Sequence, residues 1–201
     1  MTGVGPGYRL IVVGVSAGGL HALRTLVAAL PAGFEIPLAV VQHRSRDSEL
    51  LCELLQECAP LVVSEVNDKM PILPGNVYVG PPDYHLMVED GYFALSTDEP
   101  VRFSRPSIDV MFRSAADAYG PDLVGVVLTG ANADGSLGLR AIVERGGYAL
   151  VQDPASAEVG VMPQQALKAV PTACVLPLDR IGPHLAAIRG RRLPPCRGAR
   201  A

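Results

Sequence analysis

Ser16 stands in Gly14-Val15-Ser16-Ala17-Gly18-Gly19, directly after the apolar run Leu10-Ile11-Val12-Val13 and before Leu20, Leu23, Leu26, Val27 and Leu30 at helical spacing. A strand, a sharp glycine turn and a helix are implied. Such a turn puts Ser16 at the carboxyl end of the strand, with N–H groups of the helix start near its hydroxyl. Three uses fit: a structural turn, a cradle for phosphate, or a serine nucleophile beside donors that hold an oxyanion. The phosphate reading lacks both a Gly-Lys-Ser/Thr sequence and an acidic residue at the end of the second strand. The letters Gly14-x-Ser16-x-Gly18 match a nucleophile elbow, although the α/β-hydrolase elbow lies deep in its chain and this one opens it.

A nucleophile needs a base and a group to orient that base. His43 ends the apolar run Pro37-Leu38-Ala39-Val40-Val41-Gln42, and Asp134 lies in Thr129-Gly130-Ala131-Asn132-Ala133-Asp134-Gly135, which follows an apolar run at 123–128. Taken singly, His43 also fits a structural role and Asp134 an N-cap. Together, Ser16, His43 and Asp134 each follow a different strand at its carboxyl end, where α/β proteins gather their sites. Unrelated caps and turns do not require that coincidence. Among competitors, His85 in Pro81-Pro82-Asp83-Tyr84-His85 is an alternative base in a less regular stretch. Asp109 reads as a first-turn helix acid favoured by the dipole. His21 and His184 fall on predicted helices as surface or packing residues.

The elements that must position these residues alternate. Strands are expected at about 8–15, 37–41, 123–128, 148–152 and 173–176. Helices are expected at about 18–30, 47–58 (with Asp47 or Ser48 near the cap), 106–119, 134–145, from Pro163, and at 178–189. Alternating strands and helices predict an α/β fold with a doubly wound, mostly parallel sheet. The stretch 61–97 holds four short strand-like runs separated by Pro, Gly and Asp, and reads as a small antiparallel insertion or sheet edge.

The chain has 201 residues, is 49% hydrophobic and carries a formal charge of −3 with only 18% charged residues. It can bury one full core, and no basic surface argues for nucleic acid. One domain over 1–190 is expected, followed by a basic tail at 191–201 that reads as solvated and disordered. No apolar run is long enough for a signal-peptide core or a membrane span, so a cytoplasmic chain is expected. Cys52, Cys58, Cys174 and Cys196 form no CxxC pair and meet no His at zinc-finger spacing. They read as reduced thiols, without a structural metal.

The chain resembles the catalytic domain of the chemotaxis protein-glutamate methylesterases, the CheB-type family, over about residues 9–189. The resemblance rests on Gly14-Val15-Ser16-Ala17-Gly18-Gly19, Val41-Gln42-His43, Pro106-Ser107-Ile108-Asp109-Val110-Met111-Phe112, Leu128-Thr129-Gly130 with Asp134-Gly135, and Gln152-Asp153 with Val161-Met162-Pro163. It implies a serine hydrolase that removes methyl esters from glutamate side chains of chemoreceptor cytoplasmic helices, and deamidates glutamines through the same acyl intermediate. It implies Ser16 as nucleophile, His43 as base, Asp134 as orienter, and the backbone N–H groups of Ala17 and Ala131 as the oxyanion hole, with no cofactor or metal. Family members commonly carry Thr, Met and Asn where this sequence has Ala17, Ala131 and Ala133. They also carry an N-terminal phospho-receiver domain, for which the sequence before residue 8 leaves no room, so a separate response regulator or constitutive activity is expected. Two alternatives stay open: a receptor-binding module of the same fold with weak or no catalysis, and an esterase for another substrate.

Overall fold

The structure is a computed structural model that describes residues 7–43 and 50–188. The helix cap expected at Asp47 or Ser48, the basic tail at 191–201 and Cys196 lie outside the described residues. In chain order the described elements are β1 (Leu10–Val15), α1 (Gly19–Ala28), β2 (Leu38–Gln42), α2 (Leu51–Gln56), β3 (Val62–Glu65), β4 (Asn76–Val79), β5 (His85–Glu89) and β6 (Tyr92–Ser96). They continue with α3 (Ile108–Tyr119), β7 (Leu123–Val127), α4 (Ser136–Glu144), β8 (Tyr148–Gln152), α5 (Val161–Ala169), β9 (Cys174–Leu176) and α6 (Leu178–Ala186).

Seven strands form one parallel sheet in the order β3-β4-β2-β1-β7-β8-β9. A strand covered on both faces should be apolar at every position rather than alternately. β1 and β7 are such strands, and each of their residues is buried. Alternate residues of β1 feed the two cores. Ile11, Val13 and Val15 pack with Leu23, Leu26 and Val27 of α1 and with Ile181 and Leu185 of α6. Leu10 and Val12 pack with Ile108, Met111 and Phe112 of α3 and with Leu139 and Ile142 of α4. The chain therefore has the doubly wound α/β architecture that its alternation predicts.

The stretch 61–97 divides differently from its prediction. Only β5 and β6 are antiparallel, as a separate two-stranded sheet, whereas β3 and β4 extend the parallel sheet beyond β2. Short apolar runs between Pro and Gly do not encode strand direction. Here the exposed edge strand β3, with Val62 61% exposed, carries little of the burial pattern that marks an interior strand. The cysteines depart as well. Cys52 and Cys58 lie outside any disulfide, but Cys174 is disulfide-bonded, which the absence of a CxxC pair does not exclude. No helix among the described residues is long and apolar enough to cross a membrane.

His184 of α6 is a packing residue. Its ring stacks on Tyr148 at 6.1 Å, and its Nε2 lies 3.2 Å from the Tyr148 hydroxyl. Burial lowers the His184 pKa below 6.5, and burial, then Tyr8, pushes the Tyr148 hydroxyl up to about 12. Well above pH 6.5 His184 is neutral in both folded and unfolded chains and contributes no pH dependence. Below that, the unfolded chain takes a proton that the folded chain resists, so stability falls as the pH falls. Denaturant unfolding at about pH 7.5 and 5.5 is expected to show a smaller acid-side loss for His184→Gln, which keeps an acceptor for Tyr148, than for the unaltered protein. Equal losses would contradict this.

Candidate active site

The sheet reverses its winding between β1 and β7, and in open α/β sheets the crevice at such a reversal, beyond the carboxyl ends of the strands, is where ligands bind. Ser16 follows β1, His43 follows β2 and the Asp134 loop follows β7, so the three come from adjacent strands. The parallel ladders extend into these residues: His43 N–H donates to Val15 O at 3.1 Å, and Ser16 N–H to Thr129 O at 3.0 Å. Sequence positions 27 and 91 residues apart are thereby brought within hydrogen-bonding reach.

The His43 ring bridges the other two side chains. Its Nδ1 lies 3.3 Å from Ser16 Oγ, and its Nε2 lies 2.8 Å from Asp134 Oδ2. An ionised carboxylate only accepts, so Nε2 carries the proton and Nδ1 offers a lone pair to the Ser16 hydroxyl. Asn132 supports that tautomer, with its Nδ2 3.2 Å from His43 Nδ1 and its Oδ1 accepting from Asp134 N–H at 3.0 Å.

Asp134 is 1% exposed and accepts from five donors. Oδ1 receives Ser107 Oγ–H at 3.0 Å, Asp109 N–H at 2.9 Å and Gly135 N–H at 3.0 Å. Oδ2 receives Ile108 N–H at 2.7 Å as well as His43. Burial by itself would raise the Asp134 pKa, but the hydrogen bond from His43, then those from Asp109 and Ile108, hold it below its ordinary value. The carboxylate is therefore ionised at neutral pH. Asp134 does cap a helix, but one not its own. It serves the N-terminus of α3, whereas α4, which follows it directly, starts from Gly135 with no side-chain cap.

The competitors occupy other positions. His85, 2% exposed, is not brought to Ser16; its Nδ1 accepts from Ser107 N–H at 3.2 Å and its Nε2 lies 3.1 Å from Glu99 O. It holds the residue whose hydroxyl holds Asp134. Asp109 does lie in the first turn of α3, but it is buried and its Oδ1 accepts from Gly138 N–H at 2.7 Å, tying α3 to α4. Burial, opposed by that hydrogen bond, raises its pKa. His21 is exposed on α1 and lines the cleft that holds Ser16 and His43.

That cleft, of about 660 Å³, is lined by Ser16, Ala17, Gly18, His21, Gln42, His43 and Glu158 among others. The N–H groups of Ala17 and Ala131 donate to no partner among the described residues. The turn that carries Ser16 is braced from behind. Thr129 Oγ1 donates to Ala17 O at 2.9 Å, and Thr129 N–H donates to the side chain of the buried Gln152 at 2.9 Å. Gly18 has φ +75°, a conformation that favours glycine, and lets the chain turn from Ser16 into α1. Gly130 is required for space: a Cβ there would lie 2.9 Å from Ser16 Cβ and 2.6 Å from Met162 Sδ. Gly130→Ala is expected to displace Ser16 and lower esterase activity roughly 100-fold, since misplacement by about 1 Å has that effect. Circular dichroism should remain native, and an activity within about threefold of the parent would contradict this packing.

The doubly wound α/β architecture gathers the Ser16, His43 and Asp134 side chains at one end of the sheet. Comparison with known proteins gives the family: the CheB methylesterase model matches residues 11–185, and the chain belongs to that family. A Leptospira interrogans homologue is 46% identical over 176 residues, covering 87% of this chain and 91% of its own. A Nocardioides protein named protein-glutamate methylesterase/protein-glutamine glutaminase is 40% identical over 193 residues, which are 94% of this chain and 52% of that protein. The crystal structure of the Thermotoga maritima CheB methylesterase catalytic domain superimposes with a TM-score of 0.85 at 30% identity, over 90% of this chain and 98% of that one.

Asn132, Ser107 and Ile108 are site residues that the sequence motifs contain without revealing their roles. A polar residue two positions before Asp134 was the one available signal for Asn132. Nothing in sequence spacing ties Ser107 to an aspartate 27 residues later.

Proposed function

We propose that this protein hydrolyses γ-methyl esters of glutamate side chains, and deamidates glutamines, on the cytoplasmic helices of chemoreceptors. The observation that carries the proposal is the Ser16–His43–Asp134 relay at three adjacent strand ends in a chain of the CheB methylesterase family.

In this reading His43 Nδ1 takes the Ser16 hydroxyl proton as Oγ attacks the ester carbonyl carbon. The carbonyl π pair moves onto oxygen, and the N–H groups of Ala17 and Ala131 hold the resulting oxyanion. The imidazolium, stabilised by Asp134 through Nε2–H, then gives its proton to the methoxy oxygen. The C–O bond breaks, methanol leaves and a glutamyl ester of Ser16 remains. Water, deprotonated by His43, repeats the sequence to release glutamate and restore Ser16. With a glutamine side chain the leaving group is ammonia. The alanines at 17 and 131 leave the oxyanion donors in place, because those donors are backbone groups.

The test is to incubate the protein with a methyl-esterified chemoreceptor cytoplasmic fragment and map its peptides by mass spectrometry. Glutamyl peptides should lose one methylene per hydrolysed ester. Retention of every ester, with small uncharged esters still cleaved, would instead support a hydrolase of another substrate.

A further inference from the structure

Glu158, in the loop between β8 and α5, lines the same cleft as Ser16 and His43. Its side chain lies across Gly18, close enough that a Cβ there would sit 2.7 Å from Glu158 Oε2. It is exposed, and it has no hydrogen-bond or ion-pair partner among the described residues. An unpaired carboxylate thus stands at the N-terminus of α1, beside the candidate nucleophile. A structural turn does not require it, and the hydrolytic steps above do not use it.

We propose that Glu158 is a specificity residue that keeps ionised glutamate side chains out of the cleft and so favours the neutral ester over its acid product. The proposal rests on the reading given under Proposed function. The ester and the acid differ by one methyl group, and a pocket that accommodates the larger group cannot exclude the smaller by shape. They also differ by a full charge. The start of α1 and the free Ala17 N–H form a natural anion site, because a helix N-terminus carries positive partial charge and unsatisfied donors. Without a counter-charge, that site would retain the product carboxylate and would capture the unmodified glutamates that any protein substrate presents. Glu158 opposes this with like-charge repulsion, a repulsive element that rejects the wrong ligand. Among the described residues, the Asp134 carboxylate also lies near the cleft, but it is buried and fully engaged by its five donors, so it is no substitute at the mouth. The reaction's own oxyanion is less affected: it is tethered to Ser16 by a covalent bond and held by donors at short range, whereas a free acid is neither.

The test compares Ser16→Ala with Ser16→Ala/Glu158→Gln, which bind without turnover. The ligands are one glutamyl peptide in two forms, free acid and γ-methyl ester, with Kd measured by NMR titration. Glutamine keeps the size of Glu158 over Gly18 and removes only the charge. The ratio Kd(acid)/Kd(ester) is expected to fall about threefold to tenfold at about 20 mM salt, and the difference should shrink at about 0.5 M. An unchanged ratio overturns the proposal, and if it comes with a lower melting temperature, Glu158 serves only to stabilise the start of α1. Turnover of the methyl ester by the protein with Ser16 intact is measured separately, so that failure of the hydrolase reading and failure of the charge effect are distinguishable.

Discussion

Ser16→Ala is expected to lower glutamyl methyl ester hydrolysis on the order of 10⁵- to 10⁶-fold, with the fold unchanged. The substitution removes one oxygen from a side chain that packs through its Cβ against Gly130. The strand, the turn and the His43–Asp134 pair need nothing from that oxygen: Ser16 is held by its backbone, through Thr129 O and Gly19 N–H. The loss therefore reports chemistry rather than stability. Residual acceleration over water is expected, since bound ester still meets the oxyanion donors. Steady-state rates with matched thermal melts check this, and a loss smaller than about tenfold would mean that another group attacks the ester.

Asp134→Asn is expected to cost about 10⁴-fold in kcat, and unlike Ser16→Ala it should also lower stability. Five donors converge on the carboxylate. An amide has one oxygen and an NH2 group, so one edge of the side chain must now face donors with donors. If the oxygen takes the Oδ1 place and keeps Ser107, Asp109 and Gly135, the NH2 faces both His43 and the Ile108 N–H and selects the tautomer with the proton on Nδ1. That nitrogen can then no longer take a proton from Ser16. If the amide turns the other way, the buried Asp109 and Gly135 N–H groups and the Ser107 hydroxyl lose their acceptor, at about 1–3 kcal/mol each. Kinetics together with denaturant unfolding check both effects. A variant with near-normal kcat would show that Asp134 serves α3 alone.

The parts of the molecule that could be read from sequence are those whose burial is set by one element at a time. β1 and β7 are covered on both faces, so their apolar runs are unbroken, and the residues that follow them, Ser16 and the Asp134 loop, stand out at their ends. His43 follows the same logic from β2. What could not be read depends on how distant segments meet. Asp134 resembles an N-cap for the helix after it, yet its carboxylate serves α3, which precedes it in the chain. His85 resembles a rival base because a lone histidine advertises chemistry; its burial against Ser107 and Glu99 appears only once β5 and α3 are packed. Glu158 carries no local pattern at all, and gains meaning only from its position across Gly18. β3 and β4 went unrecognised as parallel strands because direction is a property of the pairing, not of four-residue runs.

The most direct test of the account is methanol release from a methyl-esterified chemoreceptor fragment, by the unaltered protein and by Ser16→Ala in parallel. The relay of Ser16, His43 and Asp134 predicts steady release by the first and none detectable by the folded variant. Equal release from both would contradict Ser16 as the nucleophile and, with it, the mechanism built on these three strand ends.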